Sequence, residues 1–516
     1  MSHVDINLWD FLNNSALRWP DKIAIKRASQ SYTYAELKER VCSISNFILS
    51  HGVDFQDNVA ILSPNCIPFV ELMYADARIG VVTELLNWRL SPVRLCSLLE
   101  KSTSKILFFS SKCIEAYNYI RANLGREILF VCIDGSVDGA LSCERLYEMA
   151  DCGLPYRSPS RSDTAIQIYS SGTTSTPKAM RHSVKNFVDK AFILSHLSGW
   201  SSDEVYMLTS PLFHISCVSI FTCFLVGGTC VIGDPSVEGM VSAIRDDHAT
   251  RIGVVPSLLN RLLDYIEEHP ELDRSSVRYV EYGTAPMSAE QIRRSMKLIN
   301  CKFLQYYGAT ETVATITCLL PEHHLREDKL RSVGQPVLGT EIKVVRGDGS
   351  ECAPFENGEI VTRHPCTITE YLDNDALTKA SIKGDWYYTG DIGYLSADGF
   401  LYLVDRKNDM IISGGENIYP KEVATCIQSM GEGIKDAVVT GVSDSRFGET
   451  VIAAVVKSKD SDITAEDIME HCRLQLASYK KPRYIYFVDS LPLNDLGKVD
   501  KQAIKNMHYE AINSQN

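Results

Sequence analysis

The chain has 516 residues, is 45% hydrophobic and 23% charged, and carries a formal net charge of −13. That length and balance describe an ordinary globular protein with more than one domain. A pI near 5.5 repels nucleic acid and anionic membrane, so any polyanion site has to be a local basic pocket. The sixteen cysteines are scattered and none forms a Cys-x-x-Cys pair, which indicates neither a zinc site nor a disulfide scaffold and fits a reducing, cytoplasmic location.

The first ten residues, MSHVDINLWD, lack the basic start and apolar core of a secretory signal, so export is not expected. Strand-like runs at Lys22 to Lys26, Asn58 to Leu62 and Lys105 to Phe109 alternate with helical segments. The clearest helix sets Leu37, Val41, Ile44 and Ile48 at three- and four-residue spacing. After strand-like Ala165 to Tyr169 comes Tyr-Ser-Ser-Gly-Thr-Thr-Ser-Thr-Pro-Lys-Ala over 169–179. Its backbone N–H groups and hydroxyls could point at phosphate oxygens, with Lys178 as a mobile cation. Composition alone favours a plain surface loop. It is not a Walker loop, because proline precedes the lysine and alanine follows it.

Ile215 to Ile232 is uncharged and long enough to span a bilayer, but Ser, Thr and Cys stud it and Gly227-Gly228 breaks it, so a buried helix, a turn and a buried strand are predicted. Runs at Arg251 to Val255 and Arg278 to Glu281, separated by amphipathic helices, continue the α/β rhythm. The expected N-terminal region, 1–404, is therefore large, with several subdomains of layered sheets and helices. Charges, glycines and a proline crowd the stretch from Asp405 to Pro420, and a hinge is expected at 405–409. Beyond it, strand-like Asp436 to Val442 and Thr450 to Lys457, a helix opening at Thr464 with Asp467 completing a capping box, and strand-like Tyr484 to Val488 predict a small, mobile α+β lid over 410–516. No internal repeat or low-complexity tract is present.

Further motifs follow the first loop in order: Pro211-Leu-Phe-His214, Tyr306-Tyr-Gly-Ala-Thr-Glu311-Thr312, Tyr388-Thr-Gly-Asp391, Asp405-Arg406 to Asn417, and Asn494-Asp-Leu-Gly-Lys498. Together they resemble the acyl-adenylate-forming superfamily of acyl- and aryl-CoA ligases, luciferases and peptide-synthetase adenylation domains, over almost the whole chain. The resemblance implies attack of a carboxylate on the α-phosphorus of ATP, loss of pyrophosphate, and capture of the acyl-AMP by a thiol, chemistry dominated by positioning and charge neutralisation.

By that resemblance Ser170, Ser171, Gly172, Thr173, Thr174 and Lys178 grip the phosphates. Glu311 binds Mg²⁺. Gly283, Thr284 and Ala285 lie against adenine with Tyr306, Tyr307, Gly308 and Thr310. Asp391 accepts the ribose hydroxyls, Arg406 adds a ribose or phosphate contact, and Lys498 reaches the substrate carboxylate and the α-phosphate, where charge gathers. Lys498, Glu311, Lys178 and Thr173 are thus the expected catalytic residues. Taken singly, each of these residues would more often be a loop, turn or core residue. The chain departs from the family pattern at Ser175 and Ala179, where glycine is usual, and at Asn408, where the hinge commonly carries Asp or Lys.

Amino-acid-activating relatives place Asp where His214 stands, which disfavours an amino acid substrate. Phe213, His214, Ile215, Ser216 and Tyr282, with Tyr306, are the candidate lining of a pocket for an aryl or medium acyl chain. Residues 409–418 resemble aryl-CoA ligases of the halobenzoate type, so coenzyme A is the expected acceptor. Gly414 and Gly415 would let pantetheine pass the backbone, and Arg89, Phe447, Tyr479, Lys481 and Arg483 would hold the CoA nucleotide. The first expectation is an ATP- and Mg²⁺-dependent acid–CoA ligase acting on a small carboxylic acid. The alternatives are an adenylating enzyme that loads a carrier protein and, less favoured, a non-catalytic nucleotide-binding regulator. Nothing in the sequence fixes an oligomeric state.

Overall fold

The computed structural model describes residues 5–149, 151–153, 158–170, 178–285, 287–414, 416–431, 433–444, 446–459, 461–493 and 499–513, with only the backbone of Ser170, Asn408 and Asn417. The chain divides into two compact units, residues 1–341 with 362–387, and residues 342–361 with 388–516.

Two sheets dominate the first unit. The six-stranded sheet runs Leu129–Cys132, Ile106–Phe109, Asn58–Leu62, Val82–Leu86, Thr164–Ser170, Lys178–Ser183; only the last strand is antiparallel to its neighbour. The nine-stranded sheet has Lys302–Tyr307, Tyr279–Gly283, Arg251–Val254, Val205–Leu208, Thr229–Ile232 and Ile23–Arg27 in parallel at its centre, with antiparallel strands at both edges. Strands such as Asn58–Leu62 and Arg251–Val254 are buried throughout, which is why they read as apolar runs rather than alternations.

Helices from both sheets meet in one layer. There Tyr74 packs against Phe221 and Phe224, Tyr34 against Phe224, and Phe187 against Phe221, at centroid distances of 5.3 to 5.6 Å, the separation at which ring quadrupoles attract. The helix Tyr34–Ser50 buries Leu37, Val41, Ile44 and Ile48 completely, as its periodicity predicts. The uncharged stretch is the helix Val218–Leu225, a turn at Gly227 with φ 77°, and the strand Thr229–Ile232. Among the described residues no helix is long and apolar enough to cross a membrane.

In the second unit, Ile434–Asp444 and Gly448–Lys457 form a long antiparallel pair, with Tyr484–Phe487 parallel to the latter. The helices Pro420–Gln428 and Ala465–Gln475 cover one face around Ile427, Val439, Ala453 and Ile468. Thr464 and Asp467 form the predicted capping box.

One pairing departs from the sequence reading. Cys42, on the helix Tyr34–Ser50, forms a disulfide with Cys152, Cα atoms 5.2 Å apart. Asn46 Nδ2 binds the carbonyls of Met149 and Asp151, and Arg78 Nη2 that of Gly153, so backbone contacts bring the two cysteines together where spacing gave no hint. The other fourteen cysteines are free.

Candidate functional site

The strand Thr164–Ser170 leads into the hydroxyl-rich loop and Lys178–Ser183 leads out, with Ser170 opposite Lys178. The loop between them, with Ser171, Gly172, Thr173 and Thr174, lies outside the described residues. Its entry is held from below: Tyr169 donates to the buried carboxylate of Glu84, Gln167 Nε2 donates to the Tyr169 hydroxyl at 2.9 Å, and Arg181 Nε donates to Gln167 at 3.1 Å. Burial pushes the Tyr169 phenol well up, so it stays a donor.

On the other sheet, Tyr279–Gly283 and Lys302–Tyr307 end side by side with Gly283 opposite Tyr306, at the carboxyl ends of parallel strands where open α/β sheets bind ligands. A Cβ on Gly283 would stand 2.6 Å from the Tyr306 carbonyl oxygen, and one on Gly308 would stand 1.5 Å from that of Ala314; only glycine fits either place. Thr284, Val313 and Ala314 adopt left-handed φ of 65°, 49° and 66°, sparsely populated for residues with side chains. The predicted adenine residues Gly283, Thr284, Ala285, Tyr306, Tyr307 and Gly308 therefore converge, and Thr310 and Glu311 follow in a short 3₁₀ turn.

Tyr306 rests on a buried ion network. Its hydroxyl donates to Glu281 Oε1 at 3.1 Å, and Ser198 Oγ lies 2.5 Å from it. Arg251, fully buried, pairs with Glu281 and, at 3.1 Å, with Glu204, and its guanidinium faces the Tyr279 ring at 3.9 Å. Burial opposes charge on Arg251, but the two carboxylates outweigh it and hold the guanidinium charged.

Tyr371 joins the two sheets' contributions. Its hydroxyl donates to Glu311 Oε1 at 2.8 Å, and the Lys178 ammonium lies 5.7 Å from its ring centroid. In the same unit, the buried Lys190 ammonium donates to the Thr315 carbonyl and to His364 Nε2 at 2.7 Å, while His364 Nδ1 lies 2.7 Å from Thr340 Oγ1. Lysine only donates, so Nε2 accepts and the proton sits on Nδ1. Burial pulls Lys190 down to about 8 and pushes His364 far down.

Of the pocket candidates, Phe213 is buried with the His214 ring 4.5 Å away, and His214, Ile215 and Ser216 are half-buried in the turn that follows. Asn65 fixes this turn through Ser210 O and Leu212 N, both at 2.8 Å. The Arg89 guanidinium lies 5.9 Å from the Phe213 ring and 5.3 Å from that of Trp88. Tyr282, expected in the lining, belongs instead to the core. Strand alternation turns it away from Glu281 into the apolar cluster of Met240, Leu259 and Leu263, where its hydroxyl meets His324 Nε2 at 3.0 Å.

In the second unit, Asp391 pairs with Arg406 at 3.1 Å across adjacent strands. In the expected hinge, Asp405 accepts from the Lys421 backbone at 2.8 Å and Asp409 pairs with Lys501 at 2.9 Å; burial raises Asp405 and lowers Lys421. Gly414 donates to the Phe447 carbonyl at 2.8 Å, and the Arg483 guanidinium stacks 3.9 Å over the Phe447 ring. These three predicted CoA contacts are therefore together. Tyr479 is exposed and Lys481 half-buried on the segment before Arg483. Gly415 and Lys498 lie outside the described residues.

Tyr371, Glu281, Arg251 and Asn65 went unread in the sequence. Each acts through a contact that no local spacing announces.

The chain matches the AMP-binding enzyme family over residues 12–372 and the AMP-binding enzyme C-terminal domain over 426–498. It belongs to the AMP-binding enzymes. It is similar to the 2-succinylbenzoate–CoA ligase of Bacillus licheniformis, 33% identical over 95% of this chain and 98% of that one. It is also similar to the long-chain-fatty-acid–CoA ligase FadD13 of Mycobacterium tuberculosis, 29% identical over 93% and 94%. The o-succinylbenzoate CoA synthetase of Bacillus subtilis, solved with its acyl-adenylate intermediate, superposes with a TM-score of 0.84 at 30% identity over 97% and 98%. For an AMP-binding enzyme the expected α/β architecture with a small C-terminal domain is therefore the fold.

Proposed function

We propose that this AMP-binding enzyme is an ATP-dependent carboxylic acid–CoA ligase. A substrate carboxylate oxygen attacks the α-phosphorus of ATP, the bond to the bridging oxygen breaks, and pyrophosphate leaves. The CoA thiol, losing its proton, then attacks the acyl carbon, and AMP leaves with the electron pair of the anhydride bond. The observation that carries this reading is the convergence of Lys178, from the edge of one sheet, and Glu311, from the end of the other, on Tyr371: a cation and a carboxylate side by side are the pair that a polyphosphate and its metal require. Relatives that are CoA ligases along nearly their whole length support it.

Glu311 suits magnesium, which favours one or two carboxylates plus substrate phosphates over an all-protein cage; Tyr371 engages only its Oε1. Bound magnesium neutralises charge on the polyphosphate. Lys178 and the loop 170–174 hold the β- and γ-phosphates. The backbone at 283–285 and the ring of Tyr307 take adenine. Asp391, oriented by Arg406, accepts from the ribose, and Lys498 stabilises charge at the α-phosphate. We assign Phe213, His214, Ile215 and Ser216 to the acyl pocket, and Arg89, Gly414, Gly415, Phe447, Tyr479, Lys481 and Arg483 to CoA. The segment 405–409 is the proposed hinge of the 410–516 lid, and a cytoplasmic location, with a reducing environment, belongs to the same proposal although one disulfide is present.

The test is a panel of carboxylic acids, including 2-succinylbenzoate and fatty acids of graded length, assayed for pyrophosphate release with and without CoA. At least one acid should release pyrophosphate and yield a CoA thioester. Acid-dependent pyrophosphate release with no thioester on CoA, but acylation of a carrier protein, assigns the acceptor to the carrier instead. Failure of every acid to release pyrophosphate refutes the reading.

A further inference from the structure

The segment leading to Tyr371 is stitched to both halves of the phosphate site. Ile368 N–H donates to the Glu311 carbonyl at 2.8 Å, and Leu372 N–H to the Ala179 carbonyl at 3.0 Å. Tyr371 bridges Met180 in antiparallel register, and its own N–H donates to Thr378 Oγ1 at 3.0 Å. Its side chain is 3% exposed and packs with Met180 and Ile368, so the ring has little freedom. One face lies toward Lys178 and the hydroxyl reaches Glu311. A carboxylate has two oxygens; donation from Tyr371 to one of them fixes the plane of the other. A cation within 6 Å of an aromatic face is drawn to it, which limits where the long lysine side chain rests.

We propose that Tyr371 is a positioning residue that presents the Glu311 carboxylate and the Lys178 ammonium together to the metal-bound polyphosphate. The inference rests on the reading of Glu311 and Lys178 given above. It goes beyond that reading because none of the motifs singled out above contains Tyr371 and the residue touches neither metal nor nucleotide in the proposal. Its hydroxyl serves the metal arm and its ring the lysine arm, so the two arms separate by substitution.

The experiment is calorimetric titration of the full chain with ATP in the absence of any acid, over a range of Mg²⁺ concentrations and without metal, so no turnover enters the readout. Tyr371→Phe keeps the ring and loses the hydroxyl; it should raise the Mg²⁺ concentration that half-promotes ATP binding about tenfold, the loss of one charge-assisted hydrogen bond. Metal-free ATP binding should be unchanged. Tyr371→Leu should in addition weaken metal-free ATP binding about threefold, through the lost ring contact. In a Glu311→Gln background, Tyr371→Phe should produce no further effect on the magnesium dependence, because the charged carboxylate that Tyr371 would orient toward metal is gone.

If Tyr371→Phe stays within about twofold of wild type while Glu311→Gln loses magnesium dependence, the proposal is overturned and the role of Glu311 stands. Additive effects of the two substitutions overturn it too, since a general structural role would move both backgrounds alike. Equal metal-free affinity for the Phe and Leu variants overturns the lysine arm. If Glu311→Gln changes nothing, the Glu311 reading fails first and the proposal with it.

Discussion

Lys190 offers a charge whose cost can be tuned by pH alone. The ammonium is fully buried and faces a backbone carbonyl and a neutral imidazole, neither of which carries a compensating charge; burial lowers it from 10.5 to about 8. At pH 7 the lysine is protonated in folded and unfolded chain alike, and the folded state bears the cost of the buried charge. As pH rises past 8 the folded group releases its proton while the unfolded one keeps it until 10.5, so stability increases across that window. The gain is up to about 1.4 kcal/mol per pH unit, or about 2 kcal/mol accumulated by pH 9.5. Lys190→Met keeps the length of the side chain and abolishes the titration. Its loss of two hydrogen bonds, to Thr315 and to a histidine that stays neutral throughout, is independent of pH in this range. The difference in urea-unfolding free energy between wild type and variant should therefore shift by about 2 kcal/mol in favour of wild type between pH 7 and 9.5. Tryptophan fluorescence suits the measurement, because all five tryptophans, at 9, 19, 88, 200 and 386, belong to the same compact unit as Lys190. A difference constant to within about 0.5 kcal/mol would refute the assignment of the depressed lysine.

Arg251→Met should destabilise the first unit by about 3–5 kcal/mol, since it strands Glu281 and Glu204 without their counter-charge; a loss under about 1 kcal/mol in the same urea experiment contradicts the network. Lys498→Ala should abolish acyl-AMP formation, read as pyrophosphate release, while thioester formation from supplied acyl-AMP continues; wild-type release removes Lys498 from the first step. Replacing Lys481 and Arg483 together with Ala should raise KM for CoA by roughly ten- to a hundredfold and leave CoA-free pyrophosphate release untouched, and an unchanged KM argues for a different CoA path. Asn408→Pro, which fixes φ, should spare one half-reaction and impair the other; normal rates for both would place the hinge elsewhere.

Local pattern made much of this chain legible. The helix with Leu37, Val41, Ile44 and Ile48 declares itself because burial repeats with the helical period, and Thr464 with Asp467 because a cap satisfies donors within one turn. The proposed phosphate lysine Lys178, magnesium carboxylate Glu311 and adenine-side Gly283 and Gly308 came from the sequence for another reason: they sit in contiguous motifs whose residue types the proposed chemistry dictates. Contacts between distant segments leave no such trace. Tyr371 lies 60 residues from Glu311 in sequence, Cys42 lies 110 from Cys152, and Lys190 meets His364 across 174. Tyr282 precedes Gly283 in sequence, but adjacency says nothing of strand parity, which sends its ring into the apolar cluster on the face opposite Glu281.

Gly283 and Gly308 leave space for no side chain, each walled by a carbonyl oxygen of a neighbouring segment. The adenine side of the proposed cradle is therefore shaped in part by main chain, at two positions that only glycine can occupy. The proposed acyl wall at Phe213, His214, Ile215 and Ser216 is made of side chains on a short turn pinned by Asn65. Such a division of materials decouples the two halves: exchanges in that turn can redefine which acid is accepted while the grip on the nucleotide is inherited unaltered.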